Sequence, residues 1–267
     1  MVNNMSQGKN RRLKRIMQQD NHTVIVPMDH GVTIGPVQGI ENMQVIINQL
    51  LEGGVDALLV HKGIAKHVNL DSAGLIVMLS GMSNLSPNVN SKVQVCSVKE
   101  AIRLGADAVS VHVNVGAQDE DKMLRNLGKV ADECECYGLP LLAMMYPRGP
   151  KIQNEHAPEV VAHAARIGAE LGADIIKANF TGDIDTFKTV VESCPVPVVI
   201  AGGPKCKTSE EVLHTTQQAI EAGAAGLSIG RNVFQHDNPA LIVKALSAIV
   251  HEGASVQQAL KIIGEKA

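Results

Sequence analysis

A fourfold internal repeat constrains this chain more than any other feature. Its junction reads GVDALLV from Gly54, GADAVSV from Gly105, GADIIKA from Gly172 and GAAGLSIG from Gly223, at intervals of 51, 67 and 51 residues. In each copy a glycine suited to a left-handed helix C-cap precedes a short, continuously apolar run. Runs of that kind, rather than alternating ones, suit parallel strands covered on both faces. Each interval accommodates two strand–helix units, so the copies mark every second strand of an eight-strand series.

Apolar runs at 23–28, 57–60, 74–80, 108–113, 141–146, 174–179, 196–201 and 226–230 supply the eight strands. A weaker run at 93–96 reads as an approach to the following helix. Helical stretches fall at 119–137, 158–171, 209–222 and 239–252. The third opens on a capping box from Thr208 to Glu211, the last on Asn238 followed by Pro239. No linker or low-complexity break interrupts the alternation. The expected fold is α/β, a single TIM (β/α)8 barrel domain over 1–267, with 1–20 as an N-terminal helical extension. Leu13, Ile16 and Met17 are helically spaced there and are expected to cover the bottom of the barrel. A doubly wound sheet is the alternative, but its phosphate loop would follow the first strand, whereas the glycine-rich loops here come late.

Composition removes several functional classes. With 24 basic and 27 acidic side chains the net charge is -3, and only 2% of residues are aromatic. Neither an attractive field for nucleic acid nor a stacking surface for bases is expected. Cys96, Cys134, Cys136, Cys194 and Cys206 are odd in number and scattered, which favours reduced thiols and a cytoplasmic location. A basic cluster from Lys9 to Arg15 is followed by no apolar core of a secretory signal, and no uncharged run reaches the length of a membrane span.

In a TIM barrel, chemistry gathers where strands end. Lys177, inside IIKAN, occupies a position where a barrel interior otherwise takes an apolar side chain. Burial of an unpaired ammonium lowers its pKa and frees the amine to attack a ketone, giving an iminium that withdraws electrons from the neighbouring carbon. The competing reading is a structural lysine paired to a carboxylate such as Asp29. Schiff-base chemistry also needs proton carriers, and Tyr146 and Asp29 end strands within reach. Each could instead be ordinary structure, a core-edge ring and a turn or helix cap. The loops at 201–205 and 230–232 follow the last two strands, where barrels often hold phosphate, and Arg231 adds a cation. His30, His61 and His112 also follow strands and present the rival reading of a divalent metal site.

The segments VIVPMDHG, AMMYPRG, DIIKAN, AGGPK and GRNVFQH resemble the archaeal-type (DhnA) class I aldolase family, in matching order over nearly the whole chain. That resemblance implies Lys177 as the Schiff-base lysine, Tyr146 as proton donor and Asp29 as proton acceptor. It implies that Asp29, His30, Gly31, Val32, Thr33, Tyr146, Pro147, Arg148, Gly202, Gly203, Gly230 and Arg231 hold a phosphorylated sugar. LVHKGI, VSVHVNVG and AHAAR further resemble members that transfer an enamine fragment from 1-deoxy-D-threo-hexo-2,5-diulose 6-phosphate to L-aspartate 4-semialdehyde. Those members release hydroxypyruvaldehyde phosphate, on a route to 3-dehydroquinate and aromatic amino acids. Fructose-bisphosphate cleavage is the alternative within the family, and a barrel that only binds a sugar phosphate the more remote one. The resemblance implies sugar-phosphate and aldehyde substrates, no cofactor, no metal and a homo-oligomer; charge, aromatic content and the lack of a long apolar run lead to no expected nucleic-acid or membrane partner.

Overall fold

The computed structural model describes residues 6–70 and 72–265. Eight strands form a closed barrel: β1 (Thr23–Pro27), β2 (Ala57–His61), β3 (Gly74–Met78), β4 (Ala108–Val115), β5 (Leu141–Pro147), β6 (Ile175–Asn179), β7 (Val198–Ala201) and β8 (Gly226–Ser228). Every pairing is parallel, each strand lies beside its chain neighbours, and β8 closes onto β1. β7 starts two residues later than expected because Pro197 has no N–H to donate; its carbonyl accepts from Ile176 N instead. The run at 93–96 forms a short antiparallel pair, Val93–Gln94 with Ser80–Gly81, outside the barrel.

The repeat acquires a physical meaning. Its four glycines all have positive φ, 82° at Gly54, 83° at Gly105, and 96° at both Gly172 and Gly223. A side chain is strained in that conformation, so each helix turns into its strand at a residue without one. In three copies the aspartate two residues on points its carboxylate at the start of the preceding strand. Asp56 accepts from Val24 N (2.6 Å), Asp107 from Leu75 N (3.0 Å) and Asp174 from Leu141 N (2.8 Å). These N–H groups would otherwise be orphaned at the barrel's closed end. The fourth copy has alanine there, and Ala225 offers its carbonyl to Thr23 N.

The same aspartates hold the N-terminal segment. Lys9 Nζ lies 3.0 Å from Asp174 and 2.7 Å from Glu135, Arg15 Nη1 is 2.7 Å from Asp107, and Gln18 Nε2 donates to Asp56 at 2.6 Å. Ile16 and Met17 thereby sit under the barrel interior with Ile25, Leu59, Ile76, Leu142, Ile175 and Val199. The expected 1–20 extension is helical only over Gln7–Leu13; residues 14–16 are turn, and 1–5 lie outside the described residues. The Thr208 cap is also simpler than expected. Thr208 accepts from Glu211 N, but the Glu211 carboxylate turns to Lys207 N instead of closing the box. No helix among the described residues is long and apolar enough to cross a membrane.

His251 bridges Asp20 (2.8 Å) and Asp56 (2.9 Å) at this closed end, and the Asp56 hydrogen bond leads the effects that raise its pKa to about 9. A folded-state pKa above the unfolded value stabilises the protein fully below the unfolded value of 6.5, and that contribution is lost as pH rises through about 9. His251→Ala is therefore expected to cost about 2 kcal/mol near pH 6. Thermal melts should show the deficit shrinking above pH 9.

Candidate active site

Side chains alternate across each strand, so the residues two apart from Ile175 share its face and point inward. Lys177 and Asn179 are those residues on β6, Tyr146 follows Met144 on β5, and His112 and Asn114 follow Ser110 on β4. All lie near the C-terminal ends of their strands. His112, Met144, Tyr146, Lys177 and Asn179, with Arg148 and the loops after β1, β3, β7 and β8, enclose a cavity of about 260 Å³.

Lys177 is 5% exposed, and its pKa falls to about 8, chiefly through burial, with Arg148 adding to the effect and Asp29 opposing it. Asp29 acts through space only, and among the described residues no carboxylate pairs with the ammonium. The structural ion pair weighed against the nucleophile is therefore not formed. At neutral pH about a tenth of the amine is free, a fraction that grows as pH approaches 8.

Tyr146 is 7% exposed, and burial raises its phenol pKa, so the hydroxyl keeps its proton. The ring is fixed on two sides. His112 meets it edge-on at 5.0 Å between centroids, and the Arg148 guanidinium carbon lies 4.6 Å over its face. His112 is itself neutral, its pKa lowered to about 3 by burial first and by Lys92 next, and its Nε2 donates to Asn114 Oδ1 at 2.9 Å.

The late loops meet through side chains of the turn after β8. Asn232 Nδ2 donates to Gly202 O (3.0 Å) and Pro204 O (3.1 Å), and Arg231 Nη2 donates to Gly203 O (2.8 Å). Gly203 has φ 61°, which frees the loop to turn back over the cavity. A Cβ on Gly230 would lie 2.7 Å from His30 Cε1 and 2.7 Å from Pro27 O, so the chain passes β1 at a distance only glycine allows.

Of the residues expected at the site, Asp29, His30, Thr33, Tyr146, Arg148, Lys177, Gly202, Gly203, Gly230 and Arg231 line the cavity. Gly31, Val32 and Pro147 do not: Gly31 and Val32 are exposed on the short helix after β1, and Pro147 lines a neighbouring cavity on the other side of Arg148. His30 and His112 both line the cavity, but each packs against a ring, His30 edge-on against Phe234 and His112 against Tyr146, and His61 lies outside the lining. Among the described residues no three histidine, cysteine, aspartate or glutamate side chains come together as a metal-binding group. Asn179, beside Lys177 near the end of β6, also lines the cavity, as do Lys92, Met144 and Ser228, which were not anticipated. Ser228 is one pleat from Gly230, so strand alternation could have found it. Lys92 sits in a polar loop with no periodicity to signal it.

A parallel barrel whose mouth holds a buried, unpaired lysine beside a phenol and a carboxylate defines the lysine-dependent barrel aldolases. The chain belongs to the DeoC/LacD family of aldolases, whose model matches residues 23–236. It is 45% identical to 2-amino-3,7-dideoxy-D-threo-hept-6-ulosonate synthase 1 of Archaeoglobus fulgidus, over 96% of each chain. It is 38% identical to 2-amino-4,5-dihydroxy-6-oxo-7-(phosphonooxy)heptanoate synthase of Streptomyces griseus, over 96% of this chain and 94% of that one. A solved archaeal fructose-1,6-bisphosphate aldolase, with its catalytic lysine covalently bound to the substrate's carbinolamine, superimposes with a TM-score of 0.86 at 36% identity, over 91% of this chain and 99% of that one.

Proposed function

We propose that the enzyme is a Schiff-base transaldolase, a 2-amino-3,7-dideoxy-D-threo-hept-6-ulosonate synthase. It carries an enamine fragment from 1-deoxy-D-threo-hexo-2,5-diulose 6-phosphate to L-aspartate 4-semialdehyde. The observation that carries the reading is Lys177, buried in the cavity lining with no carboxylate partner among the described residues and its pKa lowered to about 8. The Archaeoglobus and Streptomyces relatives add to it, since both names describe seven-carbon products bearing a 2-amino acid end. Fructose 1,6-bisphosphate cleavage remains the second reading, favoured by the solved aldolase.

The free amine of Lys177 adds to the C2 ketone of the donor. Tyr146, still protonated, donates to the departing hydroxyl as the carbinolamine loses water and the iminium forms. The C3–C4 bond then breaks. Its electron pair moves toward the iminium to leave a three-carbon enamine on Lys177, and Asp29 accepts the proton of the C4 hydroxyl, which becomes the aldehyde of hydroxypyruvaldehyde phosphate. The proton held by Asp29 passes to the Tyr146 phenolate, aspartate semialdehyde enters the vacated position, and as the enamine carbon attacks its aldehyde Tyr146 protonates the new alkoxide. Water then adds to the iminium, its proton returns to the Tyr146 oxygen, and collapse of the carbinolamine frees the product and the lysine amine. The iminium is the electron sink, so the scheme calls on no metal or organic cofactor. Arg231 and the loops after β7 and β8 hold the sugar phosphate. A homo-oligomer in the cytoplasm is the accompanying reading, in keeping with five free cysteines.

Two measurements test this. A side-by-side assay should show transfer to aspartate semialdehyde exceeding cleavage of fructose 1,6-bisphosphate, with activity surviving prolonged EDTA treatment; preferential cleavage would favour the second reading. The rate of donor adduct formation should climb as pH is raised through about 8, where Lys177 loses its proton. A rate flat from about pH 6 to about pH 9 would contradict the free amine as nucleophile.

A further inference from the structure

Lys92 has no part in the steps above, yet it lines the same cavity as Lys177. It ends a loop between β3 and β4 that is tied down at several points. Asn84 N donates to Thr33 O, Asn88 Nδ2 to Asp119 Oδ2 (2.6 Å), and Asn114 Nδ2 to Asn90 O (2.8 Å). Lys92 is half-buried and has no hydrogen bond or ion pair among the described residues. Burial lowers its pKa, the Arg148 guanidinium lowers it further, and Asp29 alone opposes them. Arg148 lines the same cavity and is fixed there, with Nε on Glu155 at 2.8 Å and its carbon over the Tyr146 ring. Two cations turned to one confined space repel each other; an anion placed with them removes that cost and gains charge-assisted hydrogen bonds.

The position of this pair decides which anion. In the closed strand order, the loop after β3 and the end of β5 flank β4, across the barrel from β7 and β8, whose loops carry Gly202, Gly203 and Arg231. Tyr146 lies on β5 under Arg148, and an aldehyde whose oxygen takes the phenol proton has its tail beside the two cations.

We propose that Lys92, with Arg148, binds the carboxylate of the acceptor aldehyde and so selects the aldehyde that meets the enamine. The inference deepens the transaldolase reading and rests on it. Lys92 is a specificity-determining residue for the second half-reaction, whereas the opposite loops serve the donor. The competing arrangement follows from the chemistry, because the two aldehydes exchange at one position: the carboxylate could reuse the loop site vacated by phosphate.

Steady-state kinetics of Lys92→Met, Lys92→Arg and Arg231→Met distinguish these. Lys92→Met should raise the KM for aspartate semialdehyde about 10–100-fold while kcat changes far less. Lys92→Arg should restore most of the loss, and a borohydride-trapped donor adduct on Lys92→Met would show that its fold and first half-reaction persist. An acceptor KM within about twofold of wild type in Lys92→Met, or a rise in Arg231→Met alone, would overturn the subsite. Failure of the wild type to transfer to aspartate semialdehyde would sink the proposed reaction and the subsite together. Wild-type transfer with an unchanged acceptor KM in Lys92→Met would sink the subsite alone.

Discussion

Lys177→Met should abolish the borohydride-trapped adduct and lower kcat/KM by roughly 10⁴-fold or more. Methionine has nearly the length of the lysine stem, so the substitution removes the amine and leaves the packing between β5 and β7 largely filled. The side chain is 5% exposed and pairs with no carboxylate among the described residues, so losing its charge also removes an unfavourable burial. A melting temperature equal to or above wild type is therefore expected alongside the loss of activity. That combination separates a missing nucleophile from a misfolded barrel. A trapped adduct persisting in Lys177→Met would instead direct attention to Lys92, the other amine lining the cavity.

Tyr146→Phe should lower kcat by about 10²–10⁴-fold while the Schiff base still forms, only more slowly. The ring makes its contacts with His112 and Arg148 through its edge and face, and phenylalanine retains both. The deleted hydroxyl is held protonated by burial, which suits it to donate in carbinolamine dehydration and again to the alkoxide of the new bond. Rapid-quench measurement of adduct formation, set against product release, would resolve those two steps. Wild-type rates for both would mean that the ring serves packing only.

Much of the architecture was legible because its signals are local and repeated. A glycine that must adopt positive φ and an apolar run after it recur four times, and together they register every second strand. Lys177 stood out for the same reason, a charge in a run whose alternation points it into the barrel. The aromatic shortage was informative too: Tyr146 is buried at the cavity, whereas the only other tyrosine, Tyr137, is 42% exposed on a helix. What stayed hidden depends on partners distant in the chain. The repeated aspartates look like turn residues until their carboxylates are seen holding Lys9, Arg15 and Gln18, which no local pattern encodes. Lys92 is brought to the cavity by a loop anchored on Thr33, Asn114 and Asp119, contacts 24 to 51 residues away from their loop partners. Gly31 and Val32 follow Asp29 and His30 in sequence, but the short helix after β1 turns them to solvent, so adjacency in a motif did not become adjacency in the cavity.

The most direct test of the account is a single-turnover trap with a chase. The enzyme is mixed with 1-deoxy-D-threo-hexo-2,5-diulose 6-phosphate, reduced with borohydride and mapped by peptide mass spectrometry, with and without aspartate semialdehyde added before reduction. A three-carbon, phosphate-free adduct is expected on Lys177, disappearing into the seven-carbon amino keto acid when the acceptor is added. An adduct on another lysine, or one on Lys177 that the acceptor fails to discharge, would contradict it.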